Sequence, residues 1–183
     1  MDEQGKAVRR QGEVFGLESV AKVEDVLRRH GRVFGNFSRT EPGGVRDREG
    51  VDIEVNLTAG WRLPKLDKFA IEVKSGPIGV LTFLAKTDLK IPDSRIKAIG
   101  LGSAVVEHLF VNKRLVVMAG DELLTDVRLM EQFHALHNYW LKRSNGENTD
   151  EMLKDLFFKF FGIEEEDLRK AARAIALKRS YRS

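Results

Sequence analysis

The chain has 183 residues, of which 42% are hydrophobic and 32% charged, with Lys+Arg 31 against Asp+Glu 28 and a formal net charge of +3. That length supports one domain with a real core rather than two large ones, and the modest positive balance is compatible with a nucleic-acid partner without demanding one. The absence of cysteine removes disulfide frameworks, cysteine zinc sites, iron–sulfur clusters and thiol nucleophiles together. The start, Met1-Asp2-Glu3-Gln4-Gly5-Lys6, is polar, with no signal-peptide core behind it. No apolar run approaches the ~20 residues of a membrane span, so the expectation is a cytoplasmic protein with no membrane contact.

In chain order, Glu13 to His30 reads as a helix, because Leu17, Val20, Ala21 and Leu27 recur at helical spacing and Gly31 is a plausible stop. Arg32 to Arg39 reads as a first strand. Thr40 to Glu49 holds Pro42, Gly43 and Gly44 among charges and is expected to be a mobile loop. Val51 to Leu57 alternates apolar with polar residues, the clearest strand signal in the chain. Phe69 to Lys74 alternates again and stops at Ser75-Gly76-Pro77, so the two runs are candidates for a hairpin with a long connection. Val80 to Leu84 fits either a short strand or a buried turn, and the stretch from Gly76 to Pro92 is left unassigned. Ser94 to about Phe110 is predicted helical, Arg114 to Met118 a buried strand ended by Gly120, and the remainder helical over roughly Asp121–Arg143, Thr149–Phe161 and Glu164–Arg179. This order predicts an α/β fold with a central mixed sheet flanked by helices. Residues 1–120 would form the core, and 121–183 a helical extension packed on it in one compact domain.

The chemistry is expected on the two alternating runs. Side chains on a strand alternate faces, so Val51, Ile53, Val55 and Leu57 face one way and Asp52, Glu54 and Asn56 the other. On the next strand Phe69, Ile71 and Val73 oppose Ala70, Glu72 and Lys74. If the strands are neighbours, Asp52, Glu72 and Lys74 project into one polar patch. Two carboxylates with a spare backbone carbonyl bind a hard cation such as Mg²⁺, which polarises a phosphodiester and lowers the pKa of a bound water. A lysine alongside orients that water and stabilises charge building up on the phosphate oxygens.

These residues carry a family resemblance. Gly50-Val51-Asp52-Ile53 followed by Ile71-Glu72-Val73-Lys74-Ser75-Gly76 resembles the PD-(D/E)xK nuclease superfamily, and the order helix, three strands, helix, strand is similar to its common core. The resemblance covers roughly Glu13 to Gly120. It implies a restriction-endonuclease-like αβββαβ core, Asp52 and Glu72 as ligands of Mg²⁺ or Mn²⁺, and Lys74 as the catalytic lysine. Many members carry a further acid on the first helix. Glu18 is the candidate for that third metal ligand, with Glu24 competing because it falls amid the apolar arc of Leu17, Val20, Ala21 and Leu27, where an acid without purpose is costly. The chain departs from the pattern in having Val51, not proline, before Asp52. Within the superfamily, the chain resembles the small archaeal Holliday-junction resolvases in a flexible loop after the first strand and a Lys-Ser ending on the third. The long helical tail does not match them.

Arg46, Arg48 and Arg62 flank the expected site and Lys97 lies on the helix after it, all placed to touch a DNA backbone. Lys170, Arg173, Lys178, Arg179 and Arg182 make the C-terminus basic, read as a solvated helix face or a phosphate contact. His134 and His137 sit three apart on a predicted helix, but a zinc site needs three or four ligands and no third is apparent. His30 and His108 are expected to be ordinary helix-end or surface residues. Leu153, Leu156, Phe157, Phe160 and Phe161 form an apolar stripe, expected to be core or a dimer contact. The expectation is therefore a metal-dependent nuclease, most readily a DNA endonuclease with RNA the lesser partner, and a homodimer would suit cutting two strands. The alternative is a non-catalytic nucleic-acid-binding module on the same scaffold.

Overall fold

A computed structural model describes residues 3–41, 43–45, 49–120 and 124–181, and of residues 3–15 the backbone alone. Helix α1 (Glu3–Arg29) leads into strand β1 (Phe34–Arg39), and β2 (Ile53–Leu57) follows the loop. A short 3-10 turn (Ala59–Trp61) precedes β3 (Lys68–Lys74). Then come α2 (Pro77–Asp88), α3 (Asp93–Ile99), α4 (Leu101–Val111) and β4 (Arg114–Met118). Helices α5 (Asp126–Ser144), α6 (Asp150–Leu153), α7 (Leu156–Phe161) and α8 (Glu165–Ser180) complete the chain.

The strands form one mixed sheet in the order β1-β2-β3-β4, with β1/β2 and β2/β3 antiparallel and β3/β4 parallel. The alternation read along β2 and β3 is realised in this sheet. Val51, Ile53, Val55 and Leu57 are buried together with Phe69, Ile71 and Val73. Helices α1 and α5 cover that apolar face, α1 through Val23, Val26 and Leu27 and α5 through Leu129, Phe133 and Leu136. At its centre the rings of Phe34, Phe69 and Phe133 meet at centroid distances of 5.1 to 5.9 Å, within the range favoured by edge-to-face aromatic pairs. The opposite face is open over β2, where Asn56 is exposed, but is covered by α2 and α4 over β3 and β4. So β3 is buried on both sides, and the side of it that carries Glu72 is not a solvated face.

The unassigned stretch is helix α2. Pro77 occupies its first turn, where a missing N–H costs nothing. The run Val80–Leu84 lacks a clear helical period because α2 lies between the sheet on one side and α8 on the other, so apolar residues surround most of it. The helix expected from Ser94 to Phe110 is two helices, broken at Gly100, whose φ of 88° lies outside the helical region. The helix expected over Thr149–Phe161 is also two, interrupted at Lys154 and Asp155. Asp121, the expected start of the first of the three C-terminal helices, lies outside the described residues; α5 begins after Thr125, whose side chain accepts the Arg128 amide at 3.2 Å as an N-cap.

The C-terminal helices are packed on the sheet-bearing part. Phe157 of α7 presses on α4 at Gly102, where a Cβ would come within 2.9 Å of its ring, and Glu165 of α8 accepts the Gly102 amide at 3.2 Å. Leu153, Phe157 and Phe161 are buried in this contact, so most of the apolar stripe belongs to the core. No helix among the described residues is long and apolar enough to cross a membrane.

Candidate functional site

Glu72 and Lys74 sit near the C-terminal end of β3 on the face that looks toward α2 and α4. Ile53 of β2 faces Ile71, and the Asp52 amide donates to the Ile71 carbonyl at 2.9 Å, which places Asp52 at the entry to β2 beside Glu72. The three predicted residues therefore come to one end of the two central strands. Their side chains are not equivalent. Asp52 turns its carboxylate to the strand backbone, where Oδ2 accepts the Val73 amide at 2.6 Å. Glu72 is only 4% exposed. Its Oε1 accepts from the Lys74 ammonium, while Oε2 is buried with no hydrogen-bond partner among the described residues.

This is an expensive arrangement. Burial pushes the Glu72 carboxyl above the usual carboxylate range, and the neighbouring Asp52 charge pushes the same way; Lys74, and more weakly Arg114, act against them. Lys74 itself is partly exposed, with Nζ 5.6 Å from the centroid of the Phe83 ring on α2. Gly50, with φ of 74°, passes directly over the acid: a Cβ there would lie 2.9 Å from Glu72 Oε2 and 3.0 Å from the Phe83 ring. Only glycine combines that backbone conformation with so close an approach.

Glu72 and Lys74 open into a cleft of about 850 Å³ between the sheet and helices α2 and α4. Lys86 and Lys90, one helical turn apart on or just past α2, line it together with His108 of α4 and Arg114 of β4. Arg114 also donates to the Glu49 carbonyl at 2.8 Å, tying the Glu49–Gly50 turn across the mouth of the site. The sequence reading missed these residues. Lys86 and Lys90 share a face only once α2 is known to be a helix.

The other candidates lie elsewhere. Glu18 is exposed on α1, and the structure does not gather it with Asp52 and Glu72. Among the described residues no three His, Asp or Glu side chains converge as a metal-holding group. Glu24 is occupied by Arg39 of β1, with oxygen to nitrogen distances of 2.7 and 3.3 Å, so the acid in the apolar arc is explained by an ion pair. Lys97 on α3 is exposed and does not line the cleft, and Arg62 donates to the Leu57 carbonyl at 3.0 Å. Arg46, Arg48 and Arg182 lie outside the described residues. His137 shares a hydrogen bond of 3.0 Å with the Trp61 carbonyl, and burial holds its pKa below the ordinary imidazole range; His134 packs on the Trp61 ring at 5.5 Å.

Asp52 and Glu72 are the residues here that could hold a divalent ion. An unpartnered buried carboxylate oxygen next to a second carboxylate is a donor set that Mg²⁺ accepts with water filling the rest of its shell. A comparison with protein-family models, curated proteins and solved structures finds no match to this chain.

Proposed function

We propose that the chain is a metal-dependent nuclease of the PD-(D/E)xK type, hydrolysing phosphodiester bonds in DNA, with endonucleolytic cutting the first activity to test. The observation that carries this reading is the buried Glu72 carboxylate: its free oxygen, its raised pKa and its salt-bridged Lys74 face a cleft whose other ionisable walls are mostly cationic. An acid perturbed by burial and a specific charge partner in a cleft is a functional-site candidate. The order α1, β1–β3, helices α2–α4, β4, with β4 parallel to β3, is compatible with an αβββαβ core in which the crossover is divided into three helices.

Asp52 and Glu72 would hold Mg²⁺ or Mn²⁺, which when bound supplies charge neutralisation at the phosphodiester and acidifies a water. Asp52 is oriented for this by the Val73 amide, and Glu72 by Lys74. The Lys74 ammonium, bonded to Glu72 at the cleft, would position the attacking water and stabilise negative charge on the phosphate. Gly50, Phe83 and the surrounding walls keep Glu72 largely dry, which strengthens each of these interactions.

The lack of a three-acid group among the described residues favours, as the second reading, a nucleic-acid-binding module without catalysis. Conversion of supercoiled plasmid to the nicked form in Mg²⁺ or Mn²⁺, stopped by EDTA, supports the nuclease. DNA binding without cutting under any metal supports the module, and neither binding nor cutting removes both.

A further inference from the structure

The cleft has a second part that the acid pair and Lys74 do not use. Lys86 and Lys90 stand four residues apart along α2 and the turn after it, both exposed. Neither makes an ion pair among the described residues, whereas Arg28 and Arg29 on α1, Lys154 just after α6, and Arg169 and Lys170 on α8 are each paired with an acid. Across from them, Arg114 at the start of β4 and His108 on α4 line the same cleft. Lys90 and Arg114 both lie near His108: burial first, then these two charges, hold its pKa below the ordinary imidazole range. The acids on the cleft wall are Glu49 and Glu72, and Glu72 is already bonded to Lys74. Like charges converging on one concavity repel, and a folded chain tolerates this where an anion is the intended occupant.

The geometry points to a phosphate subsite formed by Lys86, Lys90 and Arg114, holding a backbone phosphate of the DNA strand adjacent to the one presented to Glu72 and Lys74. This deepens the nucleic-acid reading of the cleft and rests on it. The lysines reach by flexible stems and act as point charges. Arg114 is held by the Glu49 carbonyl through one nitrogen, which fixes its planar guanidinium charge on the cleft wall. His108 contributes as a neutral donor at physiological pH. Because α2 also carries Phe83 against Lys74, a phosphate gripped on this helix is held in fixed register with the reacting one. That is how contacts to the backbone position a substrate without reading its sequence.

The test is the salt dependence of DNA affinity, which counts phosphate contacts independently of cutting. Binding of a labelled duplex is followed by fluorescence anisotropy in EDTA over a salt series, for the full-length wild type, the double variant Lys86→Gln/Lys90→Gln, and Lys154→Gln as a control outside the cleft, ion-paired to Glu151 at 2.5 Å. Loss of one phosphate contact is expected to weaken binding and to reduce the slope of log affinity against log salt by about 1. The control should leave both unchanged. The double variant should melt at or above the wild-type temperature, since it relieves repulsion. An unchanged slope in the double variant, an equal loss in the control, or no duplex binding by the wild type overturns the subsite. Nicking of plasmid by the wild type is read separately. An unchanged slope in a protein that cuts rejects the subsite and leaves the nuclease standing, whereas a reduced slope in a protein that does not cut keeps the subsite and rejects the nuclease.

Discussion

Replacing Glu72 by glutamine separates a catalytic acid from a structural one. In the metal-free protein the Glu72 charge is buried, one oxygen has no partner, and burial raises its pKa. The folded state therefore holds the proton more tightly than the unfolded chain. The resulting penalty is absent below an ordinary carboxylate pKa of about 4.3. It grows as pH rises and is complete above the raised, folded-state value. Glu72→Gln keeps the shape and an acceptor for Lys74 and removes the charge. Lys74 loses an ion pair, but its head is solvent-accessible, so that loss is small. Relieving a buried, unsatisfied polar atom contributes roughly 1–3 kcal/mol; with the new amide imperfectly bonded, about 1 kcal/mol is the net expectation. For a chain of this size that is a Tm rise of roughly 2–4 °C at neutral pH, fading toward pH 4. Saturating Mn²⁺ should act in the opposite sense on the pair. At a hundredfold excess over Kd the wild type gains about 2.7 kcal/mol, or roughly 5–11 °C, and the variant gains little. Thermal melts with Mn²⁺ and with EDTA across pH measure both effects. A variant several kcal/mol less stable than wild type at neutral pH, or shifted equally by Mn²⁺, would show that Glu72 serves the fold and that the reasoning here is wrong.

Asp52→Asn keeps an oxygen for the Val73 amide, so its melting temperature in EDTA should stay within about 3 °C of wild type, given a neutral hydrogen bond worth roughly 1 kcal/mol, while the Mn²⁺-induced shift disappears. Gly50→Ala forces a methyl against Glu72 and Phe83 at a φ of 74°. It should cost about 1–2 kcal/mol for the backbone alone in urea unfolding and abolish nicking, and an active, equally stable variant would contradict the close approach. Phe133→Ala empties the centre of the aromatic cluster between the sheet and α5; chemical denaturation should report a loss of about 3–5 kcal/mol, with no change in Mn²⁺ affinity of the protein that remains folded.

What could be read from the sequence follows from how local each signal is. The strands β2 and β3 were legible because each has one face on the apolar core, so period-two alternation marks both the element and the side on which Asp52, Glu72 and Lys74 stand. Helix α2 was not legible because it is covered on two sides, which erases the period. With it went Lys86, Lys90 and Phe83, whose common face exists only in a helix. The break at Gly100 depends on a single positive φ, which sequence marks only by the presence of glycine. Glu24 illustrates the limit of the helical wheel. An acid in an apolar arc does signal a purpose, but its partner, Arg39, lies on another element, fifteen residues on, where periodicity carries no information. The Asp52 carboxylate is likewise turned by the Val73 amide, a contact between neighbouring strands that no spacing rule anticipates.

The most direct test of the central claim compares wild type with Lys74→Ala on supercoiled plasmid under single-turnover conditions in Mn²⁺, with DNA affinity measured alongside. Lys74 is bonded to Glu72 at the cleft but is not proposed as a metal ligand, so its removal should leave binding within a few-fold. It should slow nicking by about 10²–10³, the usual cost of deleting a group that stabilises charge in the transition state. Nicking at the wild-type rate by Lys74→Ala, or no nicking by the wild type in either metal, would contradict the assignment of Asp52, Glu72 and Lys74 as a nuclease centre.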